Sequence, residues 1–301
     1  RITSTIIKST MKNLKFLIVI LAGCFAMASC KDVNYKKTKG GMPYKLYPGK
    51  GKKQATKGSF LKVQVSQKVD RGQGADTVLY TSYDKLPIYI PVTDFSNPYD
   101  PSELFATLKE GDSLVAVQMV DTFIKRNPAS VPPQFKNGDR LITTFKVLDV
   151  FPDQPSYMSD ESKEKDKVLQ KEIARVQEYL SKNKINAVKT PKGVFVQVLK
   201  PGEGEPIDSG KYVLVKYKGK TFDGKVFDTN MDTSFQHTEP IGVTIGQGGS
   251  IPGFEEGLKA LKKGGHAMVY IPSMLGYGPS PNPASSIKPF DDLIFEIIIV
   301  Y

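Results

Sequence analysis

Histidine and cysteine, the side chains that most often ligate metals or act as nucleophiles, are scarce in this chain. Of its 301 residues two are cysteines, Cys24 and Cys30, and two are histidines, His237 and His266. A body without cysteine and with two scattered histidines lacks the donors for a zinc site or a Cys–His pair, so neither a metal nor another cofactor is expected. His266 falls in a strand-like alternation, where a surface or half-buried histidine is the ordinary outcome. The glycines of GQGGSIPGFEEG, from Gly246 to Gly257, invite comparison with a phosphate loop, but no Lys-Ser/Thr follows and the spacing matches neither nucleotide fingerprint. Any chemistry must come from aromatic, aliphatic and carboxylate side chains, and so depends on the elements that position them.

With 40% hydrophobic and 24% charged residues, the chain has material for about two ordinary domains and is not a multi-span membrane protein. Its net charge of +11 invites a nucleic-acid reading, yet residues 31–60 alone hold nine lysines against Asp32, and the chain beyond them is close to neutral. The tract reads as a solvated tether, with anionic head groups or polyanions as the rival partner and no nucleic acid expected. Upstream, Met11 opens the basic stretch MKNLK, and an apolar run from Phe16 to Leu21 and then small residues follow. This is the layout of a secretory signal peptide, too short for a comfortable membrane span, and residues 1–10 then precede the start codon. The cysteines end the stretches LAGC and MASC, which resemble the lipobox of bacterial lipoproteins. Cys30 is the favoured lipidation site because a polar tract follows it directly. Cys24 is the alternative, since LAGC is nearer the consensus, and a cysteine incidental to a cleaved peptide is the plainer reading. The expected location is extracytoplasmic, lipid-anchored to a bacterial membrane at its periplasmic face or at the cell surface.

An internal repeat at an offset near 152 residues organises the rest. Gly41 to Leu46 answers Gly193 to Val198, Pro48 to Gly51 answers Pro201 to Gly204, VLYTSYD from Val78 answers VFDTNMD from Val226, and DRLITTFKVLDV from Asp139 answers DDLIFEIIIVY from Asp291. Alternating runs such as Val213 to Tyr217 predict strands with one buried face, and Glu255 to Lys263 predicts one short helix, with Leu258 and Leu261 on one side and Gly264 as its stop. The fold class is therefore α+β: two similar domains, each an antiparallel sheet with a short helix, joined by a linker helix. The expected divisions are 1–30 signal peptide and upstream residues, 31–40 tether, 41–152 first domain, 153–190 linker helix and 191–301 second domain. In the linker, Leu169, Ile173, Val176 and Leu180 make an amphipathic stripe that packs on a domain or pairs with a second copy into a dimer.

The second copy carries VKYKGKTFDGKVFDTN from Val215, GQGGSIPGFEEGLKALKKGG from Gly246, YIPSMLGYG from Tyr270 and DDLIFEIIIV from Asp291. In order and spacing these resemble the FKBP-type peptidyl-prolyl cis-trans isomerases over residues 191–301. The resemblance implies a bent sheet wrapped on the helix, with an apolar pocket between them for a proline ring. It places catalytic side chains at Tyr217, Phe227, Asp228, Phe254, Tyr277 and Phe295, and substrate-binding positions at Ile251, Ile287 and Ile241. Phe254 is then the floor, the Ile251 amide and Tyr277 hydroxyl hold substrate carbonyls, and Asp228 orients the twisted carbonyl with Tyr217. Proline-containing polypeptides are the implied clients, and macrolide inhibitors are candidate ligands. The chain departs from the family at Phe254, where a tryptophan is usual, at Gly249, where an acid is common, and in a longer segment from Asn230 to Pro240 that has no arginine to pair with Asp228. In the first copy Val65, Leu79, Tyr80, Pro101 and Thr143 stand at the places of Tyr217, Phe227, Asp228, Phe254 and Phe295, so residues 41–152 read as diverged and non-catalytic. Two functional readings remain: an isomerase that assists folding of exported proteins, and a lipoprotein chaperone or assembly module that holds peptides without turnover.

Overall fold

Alternating apolar residues and frequent glycines favour strands joined by tight turns, and strands outnumber helices among the described residues. A computed structural model describes residues 35–300 apart from 73, 75, 84, 95 and 96. The proposed lipidation sites Cys24 and Cys30 and the signal segment lie outside the described residues. No helix among the described residues is long and apolar enough to cross a membrane.

The first sheet comprises β1 (Lys36–Lys37), β2 (Pro43–Tyr47), β3 (Phe60–Asp70), β4 (Thr77–Thr81), β5 (Ile88–Pro91), β6 (Ser113–Met119) and β7 (Arg140–Phe151). Its order is β1-β2-β6-β7-β3-β4, with β5 also on β3. The second comprises β8 (Val188–Lys189), β9 (Phe195–Lys200), β10 (Tyr212–Thr221), β11 (Val226–Thr229), β12 (Ile241–Thr244), β13 (His266–Ile271) and β14 (Leu293–Ile299). Its order, β11-β10-β14-β13-β9-β8 with β12 on β10, is the same path read from the other edge. The register repeats too. Val65 faces Phe145 as Tyr217 faces Ile297, Gln67 faces Tyr80 as Gly219 faces Asp228, and a bulge follows Gln67 and Gly219 alike. The sequence repeat is thus a repeat of strand order, pairing and irregularity.

Each sheet buries one face on its own apolar cluster, Leu61, Val63, Leu108, Leu114 and Val147 in the first, and Val215, Leu258, Val269, Leu293 and Ile297 in the second. The second sheet wraps α3 (Pro252–Lys259), which starts three residues before the expected Glu255 and ends four before Lys263. Proline is pre-set for the first helical position, which fixes the start. The end comes at Ala260, after which Leu261 is buried in a turn and Lys262 donates its N–H to the Pro201 carbonyl; Gly264, at φ +74°, belongs to that turn and is not the helix stop. The first copy holds a 3-10 turn at Pro101–Thr107 instead, and adds α1 (Val120–Arg126), which the sequence pattern does not single out.

Between the sheets runs α2 (Gln154–Lys182), capped by the Asp153 carboxylate, which accepts from the Ser156 N–H at 2.9 Å. Its first half grips the first sheet: Tyr157 packs on Phe60 at 4.2 Å between ring centroids, and Lys62 reaches Asp160 at 2.6 Å and Glu164 at 3.0 Å. Its second half lays Ile173, Val176 and Leu180 on Phe195, Tyr270 and Ile294, on the face of the second sheet opposite α3. Those three side chains of the stripe are therefore spent within the chain rather than presented to a second copy.

Candidate active site

Strand alternation sends Tyr217 on β10 and Phe295 on β14 to the inner face of the second sheet, where α3 raises Phe254 against them. The rings meet edge to face. Phe254 and Phe295 stand 5.1 Å apart between centroids at 77°, Phe227 and Phe295 5.5 Å at 80°, and Tyr217 and Phe254 6.0 Å at 85°. Such pairs are the favoured geometry for aromatic quadrupoles. They enclose a pocket of about 170 Å³, with Phe254, 3% exposed, at its base. Tyr277, 40% exposed, closes one side with its ring 6.3 Å from that of Phe227.

Gly219 explains how the rings come so close. A Cβ there would stand 2.6 Å from Phe227 Cζ and 2.8 Å from Phe295 Cε1, so only glycine leaves room. Gly253 does the same under the helix, where a Cβ would meet Ile271 Cγ2 at 2.2 Å.

The polar rim is as constrained as the wall. Asp228 lies on β11, and both of its carboxylate oxygens are held: the Tyr217 hydroxyl donates to Oδ2 at 2.5 Å, and His237 Nε2 is 2.8 Å from Oδ1. The strand itself is pinned by Asn230, fully buried, whose Oδ1 accepts from the Tyr217 N–H at 2.6 Å and whose Nδ2 donates to the carbonyls of Val215 and Glu239. Burial, and then the bond to Asp228, pushes the Tyr217 phenol well above its ordinary value; burial and the Asp228 charge move Tyr277 the same way. Both hydroxyls therefore stay protonated donors across the physiological range.

Of the positions singled out from the sequence, Tyr217, Phe227, Asp228, Phe254, Tyr277, Phe295, Ile251 and Ile241 line this one pocket. Ile287 does not. It is 8% exposed, carried by the loop after Tyr277 into the same apolar cluster as Tyr217, Phe254 and Phe295 without reaching the pocket surface. Sequence reasoning missed Ser250, which lines the pocket beside Gly249, and it missed His237. The signal for His237 lay in the long segment Asn230–Pro240, whose other ionisable side chains are acidic. Among the described residues no cluster of histidine, cysteine and carboxylate side chains could hold a metal.

The sequence profile of the FKBP-type peptidyl-prolyl cis-trans isomerases matches residues 203–300. The FK506-binding protein of Neisseria meningitidis serogroup B is 34% identical over 105 residues, which is 35% of this chain and 92% of that protein. The chain belongs to the FKBP family. The family match spans β10 to β14 and contains every pocket residue named above. The FKBP-type peptidyl-prolyl cis-trans isomerase FkpA of Escherichia coli K12 is 39% identical over 126 residues, 41% of this chain and 44% of that protein. The chain thus spans less than half the length of FkpA. The crystal structure of Escherichia coli FkpA shares 32% identity with this FKBP chain, covering 48% of it and 65% of the crystallised chain, with a TM-score of 0.37.

Proposed function

We propose that residues 191–301 catalyse cis–trans isomerisation of X-Pro bonds in polypeptides. The carrying observation is the pocket itself, an aromatic box of proline-ring size with one oriented carboxylate at its rim. The barrier to be lowered is about 18–20 kcal/mol, set by loss of amide resonance on twisting. The twisted amide is less polar than the planar one and loses less on leaving water, so an apolar enclosure favours it. Phe254 carries the proline ring from below, with Phe227 and Phe295 as walls. As resonance is lost the carbonyl carbon becomes more positive, and the Asp228 carboxylate, fixed at both oxygens, stabilises it. The Ile251 amide and Tyr277 hydroxyl hold substrate carbonyls. No covalent intermediate is needed.

Substituting Phe254 for the family's usual tryptophan gives a shallower base, which favours a second reading: peptide binding without turnover. Catalysis of a proline-limited refolding reaction by the purified chain decides between them. Acceleration of the slow phase, lost in folded Asp228→Ala and Phe227→Ala variants, supports the isomerase. Suppression of aggregation with no change in the slow phase supports the binding module.

The first sheet is read as a non-catalytic partner domain, since Leu79 and Tyr80, at the places of Phe227 and Asp228, are exposed and Thr143 replaces a ring. Proline-containing clients, with macrolides as candidate inhibitors, suit the pocket's chemistry. The N-terminal sequence favours export and lipid anchoring through Cys30 or Cys24, and the mass of the native N-terminus distinguishes them.

A further inference from the structure

Asp228 is the one charged group on the pocket rim, and its geometry depends on two neighbours. Tyr217 is fixed by β10, whereas His237 comes from the segment between β11 and β12, just after a 3-10 turn at Thr233–Phe235. The segment is anchored rather than loose: Asn230 ties its far end through the Glu239 carbonyl at 3.0 Å, and the Asp232 carboxylate accepts from the Ser234 N–H at 3.0 Å and pairs with Lys218 at 3.1 Å. His237 also stacks obliquely beside Tyr217, with ring centroids 6.4 Å apart. One imidazole thereby touches both partners of the Tyr217–Asp228 hydrogen bond.

We propose that His237 is the positioning residue for Asp228, fixing the carboxylate that faces the twisted amide. This rests on the isomerase reading of the pocket. An ionised carboxylate only accepts, so with neutral imidazole the Nε2 nitrogen must carry the proton that Oδ1 receives. That bond leaves a net negative charge aimed at the pocket. The remaining titratable groups facing the pair are the hydroxyls of Tyr217 on β10 and Tyr277 on the loop after β13, both held protonated. The neighbouring charges on the 230–240 segment are Asp232, neutralised by Lys218, and Glu239. The second histidine, His266, bonds Glu296 at 3.0 Å across β13 and β14 and does not line the pocket.

The test is a direct, protease-free measurement of isomerisation of a short X-Pro peptide. His237→Ala is expected to lose roughly fivefold, the worth of one positioning hydrogen bond, in kcat rather than KM, because Asp228 acts on the twisted amide and not on the planar ground state. His237→Gln, whose amide N–H can donate to Oδ1, is expected to recover most of that loss. A His237→Ala variant equal to wild type, or a His237→Gln variant as slow as His237→Ala, overturns the proposal. Proton NMR supplies a readout independent of turnover: the His237 Nε2–H proton, held by Oδ1 of Asp228, is expected to be slowed in its exchange with water in wild type and to exchange freely in Asp228→Ala. If wild type isomerises nothing, the isomerase reading is what has failed. The exchange measurement then stands alone, and equal exchange in wild type and Asp228→Ala overturns the positioning role.

Discussion

Gly219 carries a demand that belongs to one atom. Its missing Cβ is the space into which the edges of Phe227 and Phe295 fit, and the bulge between Gly219 and Lys220 keeps Asp228 opposite it. A methyl group there must push two rings that already meet edge to face, so Gly219→Ala is expected to cost about 1–3 kcal/mol in stability, the range for overpacking. Chemical denaturation reads that cost. Isomerisation is expected to fall by more than the folded fraction alone explains, because the displaced rings are the pocket wall. Unchanged activity at unchanged stability would show that the wall tolerates the methyl. The aromatic set was legible at this scale through the family resemblance, whose motifs carry Tyr217, Phe227, Phe254 and Phe295 at matching places. The partner of Asp228 was not legible. His237 is nine residues further on, in a segment whose path no local periodicity dictates, and Asn230, which fixes that path, reads in the sequence as one more turn residue.

Helix α2 shows how charge and packing divide along one element. Near its start, Lys62 from β3 sits between Asp160 and Glu164. Burial alone would raise Asp160, but hydrogen bonds from Lys62 and Tyr89 outweigh it and hold the carboxyl below its ordinary range; Lys167 and, after burial is opposed, Lys62 lower Glu164 as well. Carboxyls depressed in the folded state contribute stability that is fully present above the unfolded pKa, about 4, and is lost as pH falls through the lower folded values. Urea unfolding of Lys62→Met is therefore expected to show a weaker loss between neutral pH and about pH 3 than wild type shows; equal losses would sever Lys62 from the acid sensitivity. The apolar spacing of Leu169, Ile173, Val176 and Leu180 predicted a helix here, and a helix of 29 residues is found. What the spacing could not say was what covers the stripe, because the covering residues Phe195, Tyr270 and Ile294 lie on three separate strands. The start of α3 was missed for a different reason: its periodic apolar residues begin after the proline that opens it.

For the whole molecule the decisive contacts are those of the second half of α2 with the loop that follows β13. Arg175 donates to both oxygens of the buried Asp292 at 2.6 and 2.8 Å, and Glu172, itself buried, accepts from the Ser273 hydroxyl at 2.5 Å and the Met274 N–H at 2.9 Å. Burial raises Glu172, so its folded form holds a proton more firmly than the unfolded chain, and this group favours folding as pH falls through its folded pKa and less as pH rises above it. Glu172→Ala strips two donors of their acceptor. The expected cost is about 2 kcal/mol, with faster proteolytic cleavage around Ser273 and slower isomerisation in the pocket, read by limited proteolysis and the peptide assay on the same sample. Cleavage and activity that both match wild type would uncouple the helix from the loop. Ser273 is four residues from Tyr277, on the loop that closes the pocket. At 1.5 Å per residue, α2 is a strut about 43 Å long whose near end is clamped to the first sheet and whose far end is clamped to that loop. The protein therefore has a mechanical axis. Tension applied to the first sheet runs through α2 and arrives at the loop that carries Tyr277.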